Sequence, residues 1–450
     1  MKKMRATLCS MPFLGLLCLG TVDLRAQELA GRPAAGTEGD IARKLEELQN
    51  QINQLQAELA QARRQLGDSE TGTAPSPAAS EPAPAVGASP SGAASSTPTE
   101  GAEKRTVLQS ILGSTTLSGF VDGYYGVNFN HPQNRTTPYR AFDGPANQFS
   151  LNQIQLMLEK TPDASNSRLG YRVALGYGNA MNAVNGTEPG GPGFAQYLKE
   201  AYFSYLAPVG KNGLQFDFGK FVTPHGAEVI ETKDNWNYSR GILFAYAIPY
   251  YHFGLRTKYA FNGTAALSGY VVNGWNNVVD NNSGKTYGVT LNLTPHKKVS
   301  IAQGYMAGPE TAGTNQGWRQ LADTVVAITA TDKLSFIVNY DYGRGDNIGL
   351  SEPAWWTGWA GYMRYAVDDR HALVFRYEWY NDAMGFTTGT VQQLKEFTGT
   401  FEKRIASRLI TRLEYRHDYS NQPTFVKGNS PVKAQDTLAA GLVYVFDSRE

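Results

Sequence analysis

The sequence predicts an all-β protein, a 16-stranded antiparallel transmembrane β-barrel carrying an N-terminal coiled-coil helix and a disordered linker. Three observations predict it. From Thr106 onward, apolar and polar residues alternate over segments of about ten residues, the period of a sheet with one greasy and one wet face. The connections between these segments are short and long in turn, as in barrels of the bacterial outer membrane. No run of 18 or more apolar residues occurs in the 450-residue chain, so no membrane-spanning helix is available.

Composition narrows the classes further. Lys and Arg total 41 against 40 Asp and Glu, which gives no basic field and excludes nucleic acid as the expected partner. The 25 Tyr, 20 Phe and 47 Gly lean toward β structure.

Residues 1–26 read as a signal peptide. Lys2, Lys3 and Arg5 precede an apolar run from Leu8 to Gly20, and the small residue Ala26 follows. Leu24 stands where Ala is more usual, so the cut site stays open. Cys9 and Cys18, the chain's 2 cysteines, both fall in this segment and follow Leu8 and Leu17, not the small residue of a lipoprotein site. The mature chain is therefore expected to carry neither disulfide nor lipid anchor.

Residues 27–67 form the expected periplasmic coiled-coil segment. Ile41, Leu45, Leu48, Ile52, Leu55, Leu59, Ala62 and Leu66 recur at alternating spacings of four and three. Such a seam favours a homo-oligomer, and a trimer fits it, but Ile and Leu mix at both seam positions and leave the number open. A single amphipathic helix lying on another surface is the alternative. Residues 68–105 are rich in Ala, Pro and Ser and cannot bury enough surface to offset their ordering entropy, so they read as a linker.

Residues 106–450 are the barrel. Leu373, Phe375, Tyr377 and Trp379 alternate with Val374, Arg376, Glu378 and Tyr380, and other segments repeat the pattern. Seven short connections (near 162–167, 208–212, 262–264, 295–298, 331–332, 368–370 and 405–407) interleave with eight long ones. An even strand count places both ends on the periplasmic side. A soluble sandwich would show the same alternation. Aromatic residues at the ends of the stripes, the export signal and a last strand with alternate residues ending at Phe446 favour the membrane.

The polar parity then lines the interior. It includes Arg172, Asp217, Arg256, Lys258, Asp341, Arg364, Arg376, Glu378, Glu396, Glu402, Arg408, Arg412, Glu414 and Arg416. Such charges call for water or for pairing, and a cylinder of this size is wide enough for an aqueous channel. A salt-bridged or loop-plugged interior is the alternative. The longest connection, Thr223 to Tyr250, carries Glu228, Glu231, Asp234 and Arg240 among Trp236, Tyr238, Phe244 and Tyr246. It is expected to enter the lumen and narrow it, its carboxylates facing the arginine-rich wall; an extracellular cap is the other option.

Within this region the stretch Gly219-Lys-Phe221-Val-Thr223-Pro-His-Gly226-Ala-Glu228-Val-Ile230-Glu, followed by Asn235-Trp-Asn-Tyr-Ser239-Arg240 and by Phe253-Gly254, resembles the motif of the putative β-barrel porin-2 (OmpL-like) family of bacterial outer membranes. The resemblance spans about Leu117 to Phe446. It implies a porin-like channel without catalytic residues and marks Gly226, Glu228, Ser239 and Arg240. Gly226 is expected at a positive φ in a sharp turn, and Arg240 beside Glu228 or Glu231. Phosphate- or sugar-selective porins are a related option.

The 6 His residues show no metal-ligand spacing and no GxSxG occurs, so neither metal, cofactor nor enzyme activity is expected. Arg344-Gly345-Asp346 reads as turn chemistry. The expectation is an outer-membrane porin that passes small hydrophilic solutes or ions by passive diffusion, in contact with outer-membrane lipid. The alternative is a non-conducting structural or adhesion barrel anchored through its coiled coil.

Overall fold

Alternation gives each strand two faces, and a computed structural model shows what each face meets. It describes residues 115–189, 191, 193–346 and 352–448. The expected signal peptide, heptad and linker lie outside the described residues. The strands are β1 (Thr116–Asn128), β2 (Gln148–Lys160), β3 (Leu169–Tyr177), β4 (Leu198–Ala207), β5 (Leu214–Val222) and β6 (Tyr251–Ala260). Next come β7 (Ala265–Val272), β8 (Thr286–His296), β9 (Val299–Pro309), β10 (Trp318–Thr329), β11 (Leu334–Gly345) and β12 (Ala354–Ala366). The series ends with β13 (His371–Asp382), β14 (Gln392–Ile405), β15 (Leu409–Ser420), β16 (Phe425–Lys427), β17 (Ser430–Val432) and β18 (Ala434–Asp447). Two short helices, α1 (Asn179–Asn185) and α2 (Ile242–Tyr246), lie in long connections.

Strands β1 to β15 and β18 close into one barrel in which every neighbouring pair is antiparallel and β1 bonds both β2 and β18. That is the expected sixteen. The β16–β17 hairpin forms its own two-stranded sheet in the last long connection. Short turns close locally: the Asn262 side chain accepts from the N–H groups of Thr264 and Ala265, and Asp368 does the same for Arg370 and His371.

Outward side chains are apolar and exposed, as hydrocarbon allows. On β13, Leu373, Phe375 and Tyr377 face out while Val374, Arg376, Glu378 and Tyr380 are buried. Phe203, Phe218 and Phe253 pack across β4, β5 and β6 at 5.6 and 5.9 Å.

The inward face departs from the expectation of a polar lining. Met306, Leu321, Trp356, Tyr380 and Leu394 point inward and join Ile230, Ile242, Leu243, Phe244 and Ile248 of the connection 223–250 in an apolar core inside the barrel. The reason is physical: a loop that leaves water needs apolar contacts as well as hydrogen bonds. Trp356 shows how closely this core is fitted. Its indole N–H donates to the Ala247 carbonyl at 3.1 Å, and its ring stacks on Phe386 at 5.4 Å. A Cβ at the paired Gly343 would lie 1.9 Å from the indole, so only glycine lets the ring lie flat on the wall. Trp356→Ala is therefore expected to cost about 3–5 kcal/mol, read as a lower midpoint of heat-induced unfolding in detergent. An unchanged midpoint would rule out a cohesive lumenal core.

Candidate functional site

The connection 223–250 folds inward along its whole length. Its neck is closed by the Thr223 N–H donating to the Tyr250 carbonyl at 3.0 Å. Gly226 takes φ +88°, as its motif predicts, and a Cβ there would press on Ile248 at 2.5 Å. The Gly226 and Ala227 N–H groups donate to Asp323 on β10 and Asn339 on β11, both at 3.0 Å. Further in, Asn235 closes a turn reciprocally, donating to the Val229 carbonyl at 2.7 Å and accepting from its N–H at 2.9 Å.

Strands β13 to β15 then hold the loop's backbone from one side. Arg376 donates to the Ser239 carbonyl and to Glu228, both at 2.6 Å, and pairs with Glu396 at 2.8 Å. Arg412 donates to the carbonyls of Thr232 and Asn235 at 2.6 Å and pairs with Glu402 at 2.8 Å. Arg416 donates to the Arg240 carbonyl at 2.8 Å and pairs with Asp418 and Glu396. Glutamates take the opposite role. Glu414 accepts from the Tyr238 and Ser239 N–H groups at 2.6 and 2.9 Å, and Glu378 accepts from Ile242 and Leu243 at the start of α2. Groups that a helix start leaves unpaired are thus satisfied by a wall carboxylate. From β1, Asp122 accepts from the hydroxyls of Thr232 and Tyr238 at 2.6 and 2.8 Å.

These contacts redistribute the residues expected to line a pore. Asp341, Arg376, Glu378, Arg412, Glu414 and Arg416 do sit on the inner face, but none is more than 3% exposed. Arg376, Glu378, Arg412, Glu414 and Arg416 fasten the loop instead of meeting solvent, and Asp341 accepts from its strand neighbour Asn339. Glu396 and Glu402 are buried as arginine partners. Asp217 is buried against Arg256 at 2.7 Å. Arg172, Arg256 and Arg364 stay partly open, and Lys258 is exposed. Arg408 falls in the turn between β14 and β15 and not on the wall. Arg240 pairs with neither Glu228 nor Glu231. Its guanidinium donates to the Tyr238 and Ile230 carbonyls, because Glu228 is occupied by Arg376 and the Gly241 N–H, and Glu231 by Lys199.

Lys199, Glu200 and Asn152 were not legible as inward residues. The β3–β4 register slips at Ala174/Leu175, leaving Lys199 unopposed, and both Lys199 and Glu200 are buried. The β1–β2 register slips likewise at Asp122/Gly123, bringing Asn152 within 2.6 Å of Asp122. A bulge puts consecutive residues on one face, which period-two reading cannot register.

Opposite the fastened side, a cavity of about 220 Å³ remains between the loop and the wall of β3 to β5. Arg172, Lys199 and Glu200 line it from the wall, and Val229, Glu231 and Asp234 from the loop. Lys199 bridges the two, paired with Glu200 at 3.2 Å and with Glu231. Burial pushes the Glu231 carboxyl up, but the Lys199 ammonium outweighs it and holds the group below the usual carboxylate range.

Residues 114–446 match the family described as "Putative beta-barrel porin-2, OmpL-like". Among solved structures, the anion-selective porin from Comamonas acidovorans superposes with a TM-score of 0.51 at 10% identity, covering 74% of this chain and 99% of that one. The outer membrane channel DcaP of Acinetobacter baumannii gives a TM-score of 0.50 at 11% identity, covering 74% and 97%. At such identities the likeness is one of fold. No curated protein matches the chain.

Proposed function

The chain belongs to the putative β-barrel porin-2, OmpL-like family, and from that premise we propose that it is an outer-membrane porin passing small hydrophilic solutes by diffusion. One observation carries this reading. The loop 223–250 is fastened to β13–β15 and leaves its open cavity on the far side, against β3–β5. The loop then narrows the lumen to a slot along that wall, with Arg172, Lys199, Glu231 and Asp234 at its edge. Reconstitution in planar bilayers tests it: discrete ohmic steps are expected, and a silent membrane would overturn it. The apolar core inside the lumen supports a second reading, a non-conducting structural or adhesion barrel, which predicts the silent membrane.

The depressed Glu231 carboxyl sets a pH dependence. Such a group adds stability that is fully present above its unfolded pKa, about 4.3, and is lost as pH falls through the lower folded value. The Lys199–Glu231 bridge therefore persists through the ordinary glutamate range. Single-channel conductance is expected to stay level as pH falls to about 4 and to change only in stronger acid. In Lys199→Gln, which removes the partner, the change moves up toward that ordinary range.

We read residues 1–26 as a signal peptide, 27–67 as a periplasmic coiled coil that joins copies of the chain, and 68–105 as its linker. Removing 27–105 is expected to lower the native mass to that of a single barrel. An unchanged oligomer would end the role assigned to the heptad.

A further inference from the structure

We propose that the cavity between the loop 223–250 and β3–β5 is a binding subsite for a small solute carrying an ammonium group on an apolar body. Access to it rests on the channel reading. Charge decides the sign. The cavity is lined by two basic groups, Arg172 and Lys199, and four acidic ones, Glu200, Glu228, Glu231 and Asp234. Glu228 is neutralised from outside by Arg376, so three carboxylates face two bases. Lys233 and Glu159, adjoining the cavity, add one charge of each sign.

Both bases are already held. Lys199 sits between Glu200 and Glu231, and Arg172 pairs with Glu159 at 2.6 Å and Glu200 at 3.4 Å. An anion would have to break one of these pairs and would face the surplus carboxylates. Asp234 is the most open of the carboxylates: its side chain is 52% exposed, and its pairing with Lys233 at 2.7 Å lies at the surface, where an incoming ammonium displaces the lysine at little cost. The flank is apolar. Val229 is 41% exposed, with Ile230, Phe244 and Tyr250 also lining the cavity. A bare metal cation would leave that flank unused, whereas an organic ammonium engages the carboxylate and the apolar and aromatic surface together. A space of about 220 Å³ corresponds to about seven waters, so the apolar body is a few carbons long.

The test compares n-butylammonium with butanoate on the full-length protein in planar bilayers. Butylammonium is expected to interrupt the current at concentrations about tenfold lower than butanoate. Asp234→Asn should raise its half-blocking concentration about fivefold, while Asp163→Asn, in the exposed turn between β2 and β3 and outside the cavity lining, should not. Equal block by the two ions, with ohmic steps intact, overturns the subsite and leaves the channel standing. If the membrane is silent the channel reading fails, and calorimetry of the detergent-solubilised protein with butylammonium decides. Saturable binding weakened by Asp234→Asn supports the subsite; no binding overturns it.

Discussion

Replacing Arg376 with alanine is expected to destabilise the barrel by about 3–5 kcal/mol. The guanidinium is 1% exposed and serves two carboxylates, Glu228 and Glu396, as well as the Ser239 carbonyl and hydroxyl. Glu378 lies a further 3.9 Å from it. Its removal strands negative charge in a space that water does not reach, and breaking one partner of a buried network costs more than the network adds. Arg376→Lys keeps the charge but loses the planar fork, so it should fall between wild type and alanine. A triple variant, Arg376→Met with Glu228→Gln and Glu396→Gln, removes the stranded charges and should recover much of the loss. Unfolding midpoints in detergent rank the four proteins, and protease accessibility of the loop 223–250 should follow the same order. If alanine matched wild type, the loop would not be held by this wall.

That prediction depends on something the sequence displays only in part. The strands are legible because turn chemistry and period-two alternation are local: Asn262, Asp368 and the pattern around Phe375 mark their own boundaries. The inward loop is legible from its length and from aromatics such as Trp236 and Tyr238. What covers the inner wall is not, because that is a contact between residues far apart in the chain. Arg376 and Lys258 both read as inward charges, yet one is sealed beneath the loop and the other is exposed. Trp356 and Leu394 read as plain strand residues, and their burial comes from a core that also takes in Leu243 and Ile248 of the loop. Arg240, placed by its motif beside a carboxylate, meets backbone carbonyls because the carboxylates have nearer cations. Where a bulge interrupts the alternation, as at Lys199, even the face is hidden.

Excising residues 226–246 should raise single-channel conductance several-fold and shift the reversal potential toward cations. The direction of the shift follows from the charges uncovered. Reading the wall as arginine-rich would predict anion preference. Beside Arg376, Arg412 and Arg416, however, stand Glu378, Glu396, Glu402, Glu414 and Asp418, all buried in the intact protein. With the loop gone, three positive groups and five negative ones face water, a net charge of −2 on that wall. The loop's own Glu228, Glu231 and Asp234 leave with it, together with Lys233 and Arg240, a smaller loss on a surface far larger than the slot. A salt gradient across the bilayer measures the sign directly. Because the excision also exposes apolar wall residues such as Trp356 and Leu394, a gentler variant guards the inference. Glu414→Ala removes the acceptor for two loop N–H groups and should give a noisy, intermittently larger conductance in an otherwise intact barrel. Unchanged conductance in both variants would mean that current never passes this loop.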